Sequence, residues 1–156
     1  MTDYHIAQVN IGRILAPIDS EIMHGFTSRL DEINALADSY DGFVWRLQTE
    51  EGDATALRPY EDDQMIINMS VWENIDALWE YTYKSVHVEL IKDRKQWFEH
   101  MKVYMCLWWV PVGEIPTPDN AKERLAYLEQ HGVTPYAFTF KKRFTVAELE
   151  AYQVVE

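Results

Sequence analysis

From Met65 to Trp72 apolar and polar positions alternate, with Ile67, Met69 and Val71 on one face of a strand and Asn68, Ser70 and Trp72 on the other. After Trp72 the period lengthens from two to about 3.6, and Tyr83, His87, Leu90, Ile91, Arg94 and Phe98 fall on one side of a helical wheel. An imidazole, a phenol and a guanidinium therefore interrupt an apolar stripe. If that stripe covers the strand face bearing Asn68 and Ser70, polar groups meet between helix and sheet, and the layer between them is a lined cavity.

The remaining pattern predicts a small sheet with helices. Residues 6–14 alternate as a first strand, with Ala7, Val9 and Ile11 opposite Gln8, Asn10 and Gly12. Pro17 breaks it, and Asp19 or Ser20 can cap a helix whose Ile22, Phe26, Leu30, Ile33 and Ala37 recur at helical spacing. Residues 43–48 form strand two, in which Phe43, Trp45 and Leu47 alternate with Val44, Arg46 and Gln48. The polar stretch 49–64 is too long for a tight hairpin and suits a lid, a partner-contacting arm or a solvated excursion. The helical segment after Trp72 is expected to break near Ser85, and residues 104–110 form strand four. The order βαββαβ predicts an α+β, ferredoxin-like core over residues 5–113. Residues 114–156 form a helix-strand extension of the same single domain, with a helix from Asp119 to Gln130 stopped by Gly132. A fifth strand is expected at 137–144 and a short last helix at 146–152. Two helices on one side leave Ala7, Val9, Ile11, Ile67, Met69 and Val71 on an open sheet face, which predicts a homodimer closed over it.

Composition narrows the function. The 156 residues include 26 Asp and Glu against 14 Lys and Arg, a net charge of -12 that disfavours nucleic acid. A hydrophobic fraction of 47% builds a core without disulfides, and the single cysteine, Cys106, sits in an apolar run as an inert thiol. No apolar run approaches the roughly 20 residues of a membrane span, and the start lacks a basic leader, so a cytoplasmic protein off the membrane is expected. His5, His24, His100 and His131 have no partners at metal-ligand spacing, and His87 and Glu89 point to different sides of a helix, so no metal site is expected. Glycine-rich phosphate loops and Gly-x-Ser-x-Gly elbows are absent from the sequence.

Six segments carry a family likeness: QVNIGRI from Gln8, FVWRLQ from Phe43, NMSVWE from Asn68, Tyr83-x3-His87, RKQWF from Arg94 and LWWVPVGEIP from Leu107. Together they resemble an uncharacterised bacterial domain family of the dimeric α/β-barrel superfamily, which includes the antibiotic biosynthesis monooxygenases. The resemblance implies a dimeric α/β barrel and no particular reaction. The cofactor-independent quinone-forming members carry an Asn-x3-Trp pair to which Asn68 and Trp72 are similar. That similarity implies a phenolic substrate whose own anion reduces oxygen. The haem-degrading members use an Asn on strand one, a Trp on helix two and a His beyond it. Asn10 and His87 occupy comparable places here, but the helical Trp position falls near Tyr81, with Trp79 two residues away.

Three readings follow. The first is a small dimeric monooxygenase-like protein acting on an aromatic or polyketide-like molecule without an organic cofactor. In it His87 takes or relays a proton, Tyr83, Asn68 and Trp72 orient the substrate, and Asn10, Ser70, Arg94 and Trp45 bind it. The second is haem binding or degradation, with His87 as axial ligand beside Asn10. The third is a non-catalytic dimeric module that holds a small hydrophobic ligand. Each polar side chain has an ordinary structural role as the alternative: a backbone partner for His87, an ion pair for Arg94, packing for Tyr83 and the tryptophans. For Asn10 and Asn68 it is a neighbouring backbone partner, since an unsatisfied buried amide costs about 1–3 kcal/mol.

Overall fold

The computed structural model describes residues 3–48, 64–85 and 87–155. The polar stretch 49–63 and its expected roles lie outside the described residues.

The chain is an α+β structure built on one four-stranded antiparallel sheet. In order come β1 (Tyr4–Arg13), α1 (Glu21–Ser39), β2 (Phe43–Arg46), β3 (Met65–Trp72), α2 (Ile75–Lys84) and α3 (His87–Lys92). A 3-10 turn (Arg94–Gln96), β4 (Met105–Pro111), α4 (Pro118–His131) and α5 (Val146–Ala151) follow. The sheet order is β2-β3-β1-β4, and β1 faces β3 with Gln8 opposite Ser70 and Asn10 opposite Asn68. The period-two pattern of both strands therefore places their amides and hydroxyl side by side on one face.

That face carries α1 and α2. Ile6, Trp72 and Leu107 are fully buried against Ile33, Ala37, Leu78 and Tyr81 at one end of it. The break expected near Ser85 falls there: its backbone is extended. Its hydroxyl donates to the Tyr81 carbonyl and accepts the His87 N–H, so the side chain ends one helix and starts the next.

The opposite face differs from the expectation of an open surface. Ala7, Val9, Met69, Val71, Cys106 and Trp108 are buried within the single chain, where α4 lays Ala121, Leu125 and Leu128 over them. The homodimer thereby loses the exposed patch that called for it. The start of α4 also differs: Thr117, not Asp119, caps it, because Thr117 Oγ1 accepts the Asn120 N–H at 3.1 Å while Asn120 Oδ1 accepts the Thr117 N–H at 2.9 Å. Gly132 ends α4 at φ 74°, a conformation that favours glycine.

The fifth strand expected at 137–144 is not a strand. Phe138 and Leu107 exchange two backbone hydrogen bonds at 2.7 and 3.0 Å, but tight pairings of Thr134 with Ala137 and Thr139 with Lys142 curl the segment away on both sides. Phe138 is the peg of this strap and is fully buried. Among the described residues no helix is long and apolar enough to cross a membrane.

Candidate functional site

A cavity of about 510 Å³ lies between the amide-bearing sheet face, α1 and the α2–α3 segment. All six residues of the broken stripe, Tyr83, His87, Leu90, Ile91, Arg94 and Phe98, line it. The helical period survives the break because α3 and the 3-10 turn keep returning the same side of the chain to the sheet.

The floor is a hydrogen-bonded polar cluster. Gln8 Nε2 donates to Ser70 Oγ at 2.8 Å and to Asn68 Oδ1 at 2.9 Å, while Asn10 Nδ2 donates to Gln8 Oε1 at 3.2 Å and Asn68 Oδ1 at 3.3 Å. Trp72 Nε1 donates to Ser70 Oγ at 2.8 Å from behind. Gln8 and Ser70 are buried, whereas Asn68 is exposed to the cavity. With Asn68 Oδ1 committed to two donors, its NH₂ group is turned outward without a partner among the described residues, and so is Asn10 Oδ1. A pre-set donor and a pre-set acceptor thus face the space where a ligand would sit.

His87 stands on the helical wall. Its Nδ1 lies 3.2 Å from the Thr82 carbonyl, which can only accept, so Nδ1 carries the proton and Nε2 of the neutral ring keeps a lone pair. Burial holds the imidazole below its ordinary value of 6.5, and the carbonyl bond opposes this only in part. Tyr81 stacks beside it at 5.0 Å between ring centroids, with its hydroxyl donated to the Ile33 carbonyl at 3.1 Å. Tyr83 is partly exposed on the wall, edge-on to Phe140 at 5.6 Å, and burial raises its phenol.

Arg94 departs from the ordinary fate of a surface cation. Its Nη2 donates to the Ile11 carbonyl at 3.0 Å, and the guanidinium lies 4.4 Å from the Tyr104 ring centre and 4.9 Å from that of Phe98. No carboxylate pairs with it among the described residues. Burial lowers its pKa, with Tyr104 acting the other way. Around it the wall is one-sided in charge: Arg46, Arg94, Lys102 and Lys141 line the cavity, and among the described residues no Asp or Glu does. Arg46 is held by Asp38 at 2.7 Å.

Of the residues expected here, His87, Tyr83, Asn68, Asn10, Ser70 and Arg94 line one cavity. Trp72 is fully buried behind Ser70, packed on Tyr81 at 5.0 Å and edge-on to Phe43 at 5.5 Å, so it supports the floor without reaching the cavity. Trp45 is on the wrong side of the sheet. Phe43 pairs with Trp72 but Trp45 pairs with Val71, and this register shift turns Trp45 toward the α4 layer while giving Arg46 the cavity side. Gln8, Asn34, Lys102 and Tyr104 also line the cavity and were not anticipated. Gln8 and Asn34 had a readable signal. Gln8 shares the alternation of Asn10, and Asn34 completes an α1 face with Leu30, Ile33 and Ala37 as a lone amide among apolar neighbours. Lys102 and Tyr104 come from the irregular approach to β4, where no period applies. Cys106 is buried, with its thiol pushed up to about 12 by burial, and takes no part in the cavity.

Among solved structures the chain is similar to a protein of unknown function from Nitrosomonas europaea, at 8% identity and a TM-score of 0.46, over 76% of this chain and 98% of that one. Comparison with curated proteins yields no match. A family model matches residues 5–154, nearly the whole chain, and the chain belongs to the family it describes, the domain of unknown function DUF3291.

Proposed function

We propose that this chain is a small-molecule enzyme of monooxygenase-like character that binds an aromatic or polyketide-like phenol or enol in the cavity and removes its proton. The observation that carries this reading is the pairing, in one cavity, of a neutral imidazole whose Nε2 keeps its lone pair with a guanidinium that no described carboxylate neutralises. His87 Nε2 accepts the proton. Asn68 and Asn10 orient the substrate oxygens, and Arg94 stabilises the anion that forms. The electron-rich anion then reacts with dioxygen: a ring CH₂ becomes C=O and the second oxygen atom leaves as water, so the balance needs no external reductant. The element order, with β3 inserted between β1 and β2, supports reading the sheet with its first helices as a ferredoxin-like split βαβ unit, as the superfamily resemblance implies.

The test is oxygen uptake with 1,8-dihydroxyanthrone, a ring system that lacks a carboxylate. Wild-type protein accelerates uptake over buffer and yields the anthraquinone, and His87→Ala lowers the catalysed rate by about 10²–10⁴-fold while binding persists. Binding without acceleration would leave a non-catalytic ligand module and overturn the enzyme reading.

Haem binding is a second reading, favoured by the same free Nε2, which suits an axial ligand, and by cations that suit propionates. Haemin titration decides it: a saturable Soret band lost in His87→Ala supports haem, and a featureless titration ends it.

A further inference from the structure

The cavity carries more positive charge than proton abstraction needs, and it does so inside a strongly acidic chain. Arg94 has five N–H donors, of which one is spent on the Ile11 carbonyl. The other four have no acceptor among the described residues. Its carrier strand residue Ile11 is the immediate neighbour of Asn10, so the guanidinium sits at the end of the amide floor. Lys102 stands at the exposed part of the same wall without a described ion pair. None of the described Asp and Glu lines this wall, so among the described residues the guanidinium's charge has no carboxylate to meet it.

We infer that the substrate arrives with a permanent carboxylate, which docks on Arg94 beside the Tyr104 and Phe98 rings and holds the phenol or enol over the amide floor. This rests on the cavity being the substrate site. A carboxylate fits better than a phosphate. The guanidinium offers a planar fork flanked by two ring faces, which matches a flat carboxylate attached to an aromatic ring. A phosphate is tetrahedral and more highly charged, and fits a slot between two ring faces less well.

A matched pair of probes tests it by calorimetry: 1-hydroxy-2-naphthoate and its neutral carboxamide, with 1-naphthyl phosphate as a third arm. Wild-type protein binds the carboxylate at least about tenfold more tightly than the amide. Arg94→Gln abolishes that preference by weakening the carboxylate far more than the amide, and an unchanged circular dichroism spectrum and melting temperature certify the variant as folded. Arg94→Lys recovers part of the preference, and Lys102→Gln reduces it by a smaller factor. Equal binding of acid and amide by wild-type protein, an undiminished preference in Arg94→Gln, or tighter binding of the phosphate would overturn the inference. So would the absence of any binding. The anthrone assay reads the enzyme proposal separately, since that probe carries no carboxylate.

Discussion

At the scale of single residues, burial and hydrogen bonding divide the floor into parts with different duties. Gln8 is buried and bonds three neighbours, so Gln8→Ala should cost about 1–3 kcal/mol in urea unfolding by stranding the groups it satisfies. Asn68 is exposed to the cavity, and Asn68→Ala should cost less than about 1 kcal/mol yet weaken ligand binding. The reverse order of stabilities would mean that the cluster is not the floor described. His87 adds a pH signature. Its folded-state pKa lies below the ordinary 6.5, so on acidification the unfolded chain takes up a proton there before the folded chain does. Stability therefore falls as pH drops below about 6.5, and this contribution is fully retained above that value. His87→Gln should show a shallower loss than wild type between about pH 7 and about pH 5.5, measured by the same unfolding experiment. Identical slopes would mean that the ring is not buried neutral.

At the scale of elements, the strands were the most legible part of the sequence. Met65–Trp72 is bounded as its alternation predicts, and the pairing of Asn10 with Asn68 follows from two strands keeping the same period. The helical stripe named all six of its wall residues although the helix itself breaks at Ser85, because a period records which side faces the sheet and not whether hydrogen bonds run unbroken. Trp45 shows the limit of that reasoning. One irregularity in pairing with β3 reverses the side, and no residue in Phe43–Arg46 announces it. Close approach of elements is equally silent except at glycine. A Cβ on Gly12 would lie 2.5 Å from the Phe98 ring, so β1 must be bare there for the segment after α3 to seat Phe98. Gly12→Ala should cost about 1–3 kcal/mol and shift Phe98, weakening carboxylate binding along with stability. An unchanged melting temperature would show that the two elements do not touch as described.

At the scale of the whole molecule, the extension after β4 decides what the sheet can do. Its helices were legible from caps and periods, but which face they cover was not, since an amphipathic helix such as α4 carries no label for its partner. It covers Ala7, Val9, Met69 and Trp108, while the cavity opens over the amides, with Leu128, Gly132 and Val133 from the end of α4 also at its edge. Cys106 reports this closure, being buried under α4 with its thiol pushed up to about 12. In the native chain it should resist an aromatic disulfide reagent near neutral pH, and in a chain ending at Gly113 it should react within the mixing time while the protein self-associates. Rapid reaction of the native thiol would show that the extension does not cover that face.

The most direct test of the account is to watch the side-chain NH₂ signals of the isotopically labelled protein while 1-hydroxy-2-naphthoate is added. Occupation of the cavity predicts saturable shifts of Gln8, Asn10, Asn34 and Asn68, with Asn74, which caps α2, and Asn120, which accepts the Thr117 N–H in the α4 capping box, unmoved. Cavity amides that stay fixed at saturating ligand, or shifts confined to Asn74 and Asn120, would contradict it.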